Sequence, residues 1–242
     1  MKKMITLNID GKEVQAEGEK SLLEVCLDNG IYVPHLCHME GMEAPPASCR
    51  LCFVEIDGMP GPVVSCRVSP KRGMLVRTDT EAVRRLQRTA LRLLLSVHCA
   101  ECRTCPSNKK CELQRMARLL GVRLRPRRFP HIDRQMTAQF DDALFELVPC
   151  RCVLCGKCIH VCEKRNGRSF LTFAKRGFET VITSFGDEGA AGRTCGKECR
   201  ACVEVCPVSA ILFKDLRRAS TVTAGGVHGE VEEVGVAGWK ND

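Results

Sequence analysis

The sequence predicts an α+β protein made of three small modules in a row, and three observations lead to this prediction. The first residues alternate apolar and polar side chains around an Asp-Gly turn, as two paired strands do. A helical repeat of leucines follows near residue 90. Along the whole chain, most of the 18 cysteines fall into groups with short and regular spacings. Each module therefore combines a few secondary-structure elements with one or two sets of cysteines.

The composition limits both the cores and the compartment. The 242 residues are 44% apolar but only 5% aromatic, so the modules have small aliphatic cores that metal sites can reinforce. Residues 1–11 lack an apolar signal-peptide core, and no stretch approaches the roughly 18 apolar residues of a membrane span. We therefore expect a cytoplasmic protein without a membrane span, in which grouped cysteines bind metal.

Residues 1–78 have the pattern of a small mixed sheet crossed by one helix. Met4 to Asp10 alternates in polarity, Asp10-Gly11 is a hairpin turn signal, and Glu13 to Ala16 returns as a second strand. Ser21 caps a short helix, and Glu24 completes a capping box. Further strands are predicted at Leu51 to Ile56, Val63 to Ser65 and Met74 to Arg77. This combination is typical of the β-grasp fold.

Four cysteines lie in the predicted loops of this module, with 11, 2 and 13 residues between them. They are Cys37, Cys49, Cys52 and Cys66. Plant-type ferredoxins hold a [2Fe–2S] cluster with a similar set, although their first gap is shorter. Ala47 and Ser48 are small, which lets backbone N–H groups approach the sulfur atoms. A zinc site is the alternative.

Residues 79–139 begin with a helix that Asp79 or Thr80 caps and that extends to about Val97. Its predicted apolar face consists of Leu86, Ala90, Leu93 and Leu94. One histidine and three cysteines follow, with 3, 2 and 5 residues between them. They are His98, Cys102, Cys105 and Cys111. If His98 is not a ligand, its neighbour Cys99 takes its place and makes a four-cysteine site.

The end of this module is rich in arginine. The arginines are Arg115, Arg118, Arg123, Arg125, Arg127, Arg128 and Arg134. We interpret the segment as a solvated basic face, with a docking surface for an acidic partner as the alternative. RNA binding is less favoured, because base stacking needs interleaved aromatic residues and the segment offers only Phe129.

Residues 140–218 contain two cysteine runs of the bacterial ferredoxin type. The first is Cys152, Cys155, Cys158 and Cys162, and the second is Cys195, Cys199, Cys202 and Cys206, followed by Pro207. In two-cluster ferredoxins the fourth cysteine of each run binds the other cluster. We therefore expect one [4Fe–4S] site at Cys152, Cys155, Cys158 and Cys206, and another at Cys162, Cys195, Cys199 and Cys202. Cys195 is the weakest assignment, because the gap after it has one residue more than usual.

Two stretches around these runs complete the prediction. Between the runs, Ser169 to Phe173 and Phe178 to Thr183 are expected to form a β-hairpin. Residues 219–242 are expected to form a flexible C-terminal tail. The remaining cysteines are Cys26, Cys99 and Cys150, which we expect to be non-ligands, with Cys26 on the apolar face of the first helix.

The set built on His98 resembles, residue for residue, a ligand set of respiratory complex I and of iron-only hydrogenases. Two further features resemble the same proteins. They are the long gap between Cys37 and Cys49 and the predicted hairpin between the two ferredoxin runs. Over residues 1–218 the chain resembles the electron-transfer (diaphorase gamma) subunit of NAD-linked hydrogenases or formate dehydrogenases. It is also similar to the N-terminal part of the large iron–sulfur subunit of complex I and of iron-only hydrogenases.

This resemblance implies one [2Fe–2S] cluster and three [4Fe–4S] clusters, one of them with a histidine ligand. It implies a relay of single electrons between an FMN- and NAD(P)-binding flavoprotein subunit and a hydrogenase or formate dehydrogenase catalytic subunit, or a ferredoxin. A thioredoxin-like [2Fe–2S] subunit is a further implied partner. Four such clusters bring a charge of about −7, so the formal charge of +8 is interpreted as compensation.

We expect no catalytic residues in this chain, because it has neither a G-x-G-x-x-G dinucleotide motif nor a phosphate-binding loop. Catalysis is expected in partner subunits. One alternative is a subunit of an electron-bifurcating NAD(P)/ferredoxin transhydrogenase or hydrogenase, which the sequence does not separate from a linear relay. A distant alternative is a zinc-binding nucleic-acid protein, which the terminal Cys206-Pro207 and the His98 set disfavour.

Overall fold

The computed structural model describes residues 4–125, 129–132, 145–184 and 199–214. The strands of the first module are β1 (Met4–Ile9), β2 (Lys12–Glu17), β3 (Phe53–Ile56), β4 (Val63–Val64) and β5 (Leu75–Arg77). They form one sheet in the order β2-β1-β5-β3-β4, in which β1 and β5 are parallel and the other neighbours are antiparallel. The predicted hairpin is confirmed, because Ile9 pairs with Lys12 across a turn at Asp10 and Gly11.

Helix α1 (Leu22–Asp28) begins as the sequence predicts. The backbone N–H of Glu24 donates to the Ser21 hydroxyl, and the Ser21 N–H donates to the Glu24 carboxylate at 2.8 Å. This capping box satisfies two N–H groups at the start of the helix. Leu22 and Leu23 are fully buried and share a core with Leu7 of the sheet. The mixed sheet crossed by α1 agrees with the predicted β-grasp pattern.

The second module contains helices α2 (Glu81–Ser96) and α3 (Glu112–Leu120), and Thr80 caps α2. The four residues predicted to share one apolar face of α2, Leu86, Ala90, Leu93 and Leu94, line one groove, but only Ala90 among them is buried. The buried residues of α2 are Val83, Gln87, Ala90, Leu91, Leu95 and Ser96. Leu93 is 53% exposed, and Leu86 and Leu94 are only half-buried along an open apolar groove. The buried Gln87 amide donates to the Phe53 carbonyl at 3.2 Å, which ties α2 to β3.

Within residues 145–184 and 199–214, the third module has two small antiparallel sheets and two helices. Its elements are β6 (Phe145–Leu147), α4 (Lys157–Asn166), β7 (Leu171–Ala174), β8 (Val181–Ser184), α5 (Ala201–Glu204) and β9 (Ile211–Phe213). Strand β6 pairs with β9, and β7 pairs with β8. The predicted hairpin is therefore confirmed, with strands slightly shorter than expected. Helices α4 and α5 contact each other.

One hydrophobic core connects all three modules. It contains Leu36 and Leu51 from the first module, Leu91 and Met116 from the second, and Val208 from the third. Because each of these side chains is at most 2% exposed, the modules pack as neighbours around a shared buried interior. The loops that bear the candidate ligands surround this core.

Some expectations lie outside the described residues. These are the position of Cys195, the structure at Arg127, Arg128 and Arg134, and the flexible tail at 219–242. Among the described residues, no helix combines the length and the hydrophobicity that crossing a membrane requires.

Candidate metal centres

The four cysteines of the first module form two buried pairs. The sulfur atoms of Cys37 and Cys49 are 3.4 Å apart, and none of the four residues is more than 5% exposed. Hydrogen bonding between the members of each pair lowers the pKa of Cys37 and that of Cys52. The same bonds, together with burial, raise the pKa of Cys49 and that of Cys66. Each pair thus favours one thiolate and holds one proton, which a metal that binds both sulfurs would displace.

The loops of the candidate ligands adopt a backbone conformation that side chains usually avoid. Left-handed φ values occur at Ala47 (52°), Arg50 (51°), Lys109 (69°), Leu154 (53°) and Ser209 (48°). Such residues each cost about 1–3 kcal/mol and cluster at functional sites, where surrounding structure maintains them. Near two of them, backbone N–H groups reach candidate sulfurs. Leu154 N–H donates to Cys152 at 3.4 Å, and Ala210 N–H donates to Cys206 at 3.2 Å.

His98 has the environment of a metal-binding histidine. It is 8% exposed, and its Nδ1 lies 3.0 Å from the Arg151 carbonyl oxygen. This oxygen can only accept, so Nδ1 carries the proton and Nε2 is left as a free lone pair. Burial lowers the pKa of His98, which favours the neutral ring that coordinates metal. A backbone carbonyl that fixes the tautomer is the usual support of a histidine ligand.

The three cysteines that follow His98 lie close to one another, and Cys99 is paired elsewhere. Burial raises the pKa of Cys111, and the neighbouring Cys105 and Cys102 raise it further. Cys99 forms a disulfide with Cys150, with their Cα atoms 5.4 Å apart. Cys99 is thus engaged outside the set, which favours His98 over Cys99 as the fourth member.

Cys206 lies with three cysteines of the first ferredoxin-type run, Cys152, Cys155 and Cys158, around one small cavity. Burial raises the pKa of Cys155 to about 12, and the charges of Cys206 and Cys152 add to the shift. Burial likewise raises the pKa of Cys158, with further contributions from those three cysteines. Cys206 therefore lies beside the first run despite its distance in sequence.

The other group forms around Cys162. Burial raises the pKa of Cys202 to about 12, and Cys162 and Cys199 raise it further. Cys162 accepts hydrogen bonds from the Phe170 N–H at 3.4 Å and from the Asn166 side-chain amide at 3.6 Å. Thiols that burial and mutual repulsion keep protonated become stable thiolates when metal neutralises them. The donor set therefore fits iron–sulfur clusters.

Candidate ligands of several sets pack in the same hydrophobic core. Cys37, Cys49, Cys111 and Cys155 belong to the core that joins the three modules, and Cys152 and Cys206 pack against it. Among the described residues, no three Cys, His, Asp or Glu side chains converge tightly enough to hold a single metal ion. Cys26 is fully buried beside Cys52 in the sheet core, and burial raises its pKa to about 12. These features agree with Cys26 as a core residue.

Comparisons with known proteins agree with this chemistry. Residues 2–81 match the model of a 2Fe-2S iron-sulfur cluster binding domain. Residues 87–125 match the NADH-ubiquinone oxidoreductase-G iron-sulfur binding region, which includes the His98 set. The chain therefore contains iron–sulfur domains of both the 2Fe–2S and the 4Fe–4S type.

Several curated relatives share most of the chain's length. The alpha subunit of an NADPH-Fe(3+) oxidoreductase of Geobacter sulfurreducens is 29% identical over 88% of the chain and 24% of its own length. A G-type subunit of the NADH-quinone oxidoreductase of Rhizobium meliloti is 32% identical over 86% of the chain and 24% of its own length. An NADP-reducing hydrogenase subunit of Solidesulfovibrio fructosivorans is 29% identical over 86% of the chain and 36% of its own length. The chain thus spans about a quarter to a third of these relatives.

A solved structure matches over nearly its full length. It is a chain in the crystal structure of an NAD+-reducing [NiFe]-hydrogenase in the H2-reduced state, with a TM-score of 0.77 and 28% identity. The match covers 88% of each chain. The resemblance to the iron–sulfur subunits of NAD-linked hydrogenases and of complex I is therefore confirmed.

Sequence reasoning missed two features of these centres. It did not predict that Cys99 pairs with Cys150, and the only signal was that each lies within two residues of a predicted ligand. It also gave no role to Asn166, whose amide donates to the Cys162 carbonyl at 2.8 Å as well as to the Cys162 sulfur. Its position four residues after a cysteine on a helix is the signal that could have identified it.

Proposed function

We propose that this chain is an electron-relay subunit of an NAD(P)-linked oxidoreductase complex. In this proposal it passes single electrons through one [2Fe–2S] cluster and three [4Fe–4S] clusters and performs no bond chemistry itself. The observation that carries the proposal is the shared core, in which candidate ligands of three sets pack against the same buried side chains. A dry, continuous protein medium between neighbouring centres suits electron transfer better than separate sites on a flexible chain.

The proposed ligand sets follow the grouping of the thiols. The [2Fe–2S] cluster is assigned to Cys37, Cys49, Cys52 and Cys66, and the histidine-ligated [4Fe–4S] cluster to His98, Cys102, Cys105 and Cys111. The two remaining [4Fe–4S] clusters are assigned to Cys152, Cys155, Cys158 and Cys206, and to Cys162, Cys195, Cys199 and Cys202. The proximity of Cys206 to Cys155 and of Cys162 to Cys202 supports the crossed assignment.

In such a relay the chain's own residues tune and protect the centres. The clusters would supply one-electron redox chemistry. The N–H groups of Leu154, Phe170 and Ala210 donate to candidate ligand sulfurs, which favours the more negative reduced state. The Arg151 carbonyl orients His98, whose neutral ring adds no negative charge to its site. The buried aliphatic side chains exclude water from the sulfurs.

The proposed partners follow from the chemistry of the relatives. A nicotinamide cofactor delivers two electrons as hydride, so a flavoprotein subunit with FMN and an NAD(P) site must split the pair. The chain then connects this subunit with a hydrogenase or formate dehydrogenase catalytic subunit, or with ferredoxin. A thioredoxin-like [2Fe–2S] subunit and a cytoplasmic location complete the proposal.

The test is iron and acid-labile sulfide per chain, measured on protein purified without oxygen, together with EPR during stepwise reduction. The proposal predicts about 14 iron atoms, from one two-iron and three four-iron clusters. It also predicts a rhombic [2Fe–2S] signal and interacting [4Fe–4S] signals. A content of about 10 iron atoms would mean that one of the four-iron clusters is absent. Zinc with little iron would overturn the proposal of an electron relay.

A further inference from the structure

Two of the three cysteines outside the ligand sets are placed against each other. Cys99 and Cys150 are separated by 51 positions in sequence, yet their Cα atoms lie 5.4 Å apart and their sulfurs are bonded. This Cα separation is within the range of natural disulfides. The Cys99 backbone N–H also donates to the Cys150 carbonyl at 2.9 Å. The backbone hydrogen bond is thus a second contact between the two residues, beside the sulfur–sulfur bond.

This disulfide joins two modules next to predicted ligands of different clusters. Cys99 directly follows His98, and Cys150 lies in a short 3-10 turn (Pro149–Arg151) that immediately precedes Cys152. The Arg151 carbonyl in the same turn holds the His98 ring. Closing or opening the disulfide therefore changes how firmly the support of His98 is attached to the loop that bears it.

The pair is accessible to small thiol reagents. Cys99 and Cys150 are both half-buried, unlike the fully buried Cys26. Cys99 also lines an open cavity of about 360 Å³, together with His98, Leu124 and Phe129. This cavity offers a small thiolate a route to the Cys99 side chain.

We propose that Cys99 and Cys150 are a redox-active dithiol–disulfide pair that exchanges with soluble thiols and clamps the His98 loop to the third module. In reduction, the thiolate of a dithiol reductant attacks the sulfur–sulfur bond and forms a mixed disulfide. Its second thiol then displaces the remaining protein sulfur. The protein gains two electrons and two protons as two thiols, and the reductant becomes a disulfide. In oxidation, a glutathione-type disulfide accepts two electrons and two protons and leaves as two thiols.

This pair differs from a structural disulfide. In a reducing compartment disulfides are rare, and those that occur are usually catalytic or redox-sensing. A pair that the backbone holds together closes readily when the thiol pool becomes oxidised. The clamp then restrains the His98 loop under the conditions in which clusters are most easily lost.

The first arm of the test measures the sulfur chemistry. The full chain, purified without oxygen, is equilibrated in buffers with graded ratios of oxidised to reduced glutathione and quenched in acid. Free thiols are alkylated, and peptides are identified by mass spectrometry. We expect one linked peptide, Cys99 to Cys150, that forms and disappears reversibly, while Cys26 stays a free thiol throughout. Independent oxidation of the two cysteines, or no linked peptide at any ratio, would overturn the proposal.

The second arm measures the clamp and rests on the proposed function. Iron release to a chelator is followed in the oxidised and reduced chain, in a Cys99→Ser variant and in a Cys26→Ser control. We expect release from the His98-ligated centre to be several-fold slower in the oxidised wild type and the control, and the difference to vanish in Cys99→Ser. Equal release in both states of the wild type contradicts the clamp. If the proposed electron relay is wrong, the purified chain will contain little iron from the start. The first arm of the test then still measures the chemistry of the Cys99–Cys150 pair.

Discussion

Replacing Asn166 with leucine tests whether a side-chain hydrogen bond tunes the cluster assigned to Cys162. The Asn166 amide lies 3.6 Å from the Cys162 sulfur and 2.8 Å from the Cys162 carbonyl oxygen. Reduction adds negative charge to the ligand sulfurs, so a donor stabilises the reduced state more than the oxidised state. Loss of the donor should therefore lower the reduction potential of this cluster.

The magnitude follows from the geometry. A hydrogen bond to a charged group contributes about 1.5–3 kcal/mol, and only the difference between the two redox states changes the potential. At 3.6 Å to sulfur, a difference of about 1 kcal/mol is reasonable. For a one-electron couple a tenfold change in equilibrium corresponds to about 59 mV, so we expect a decrease of about 40 mV. The backbone donor Phe170 remains in place.

The assay is an EPR-monitored redox titration of the holoprotein. The matched control is Asn29→Leu, because Asn29 also donates to a carbonyl four residues earlier, that of Val25 at 2.9 Å, but at the C-terminal end of helix α1 in the first module. The control should leave all midpoint potentials unchanged. An unchanged or higher potential in Asn166→Leu, at unchanged iron content, would refute the reasoning.

Three further predictions test the fold and the histidine ligand. Leu91→Ala removes a fully buried side chain from the shared core and should lower the free energy of unfolding by about 2–5 kcal/mol in chemical unfolding. Its control, Leu93→Ala, lies at a position that is 53% exposed and should change the free energy of unfolding by less than about 0.5 kcal/mol. Equal effects would contradict the assigned core. Ser21→Ala breaks the capping box and should cost about 1 kcal/mol in the same measurement, with an unchanged value as the contrary result. His98→Cys adds a negative thiolate and should lower the potential of its cluster at a constant content of about 14 iron atoms, and a higher potential would contradict histidine ligation.

Local signals predicted the first module well, because its elements depend on neighbours in sequence. The Asp10-Gly11 turn and the capping box of Ser21 and Glu24 involve residues at most three positions apart, and both are observed. The fully buried side of α2 could not be derived in this way. Leucines surround much of this helix, and the decisive contact is Gln87 with the carbonyl of Phe53, 34 residues earlier. A polar side chain becomes a core residue there because a distant strand satisfies its amide.

The backbone conformation of the loops that bear the candidate ligands also could not be predicted from the sequence. Spacing identified the cysteines, but nothing in the types of Arg50, Lys109 or Leu154 signals their left-handed backbone. Glycine tolerates this conformation at no steric cost, whereas these residues must be held in it by their surroundings. The sequence thus indicated the candidate ligands, and tertiary structure determines how the N–H groups around them point.

The position of the candidate ligands in the cores links folding to cluster assembly. Cys37, Cys49, Cys111 and Cys155 contribute to the same core as Leu91, and burial raises the pKa of Cys155 to about 12. Without metal, thiolates in this interior are costly; with metal, the same burial protects them from water. Metal binding to the folded form therefore stabilises it by mass action. Because this core contains side chains from all three modules, removal of iron should weaken the packing between the modules.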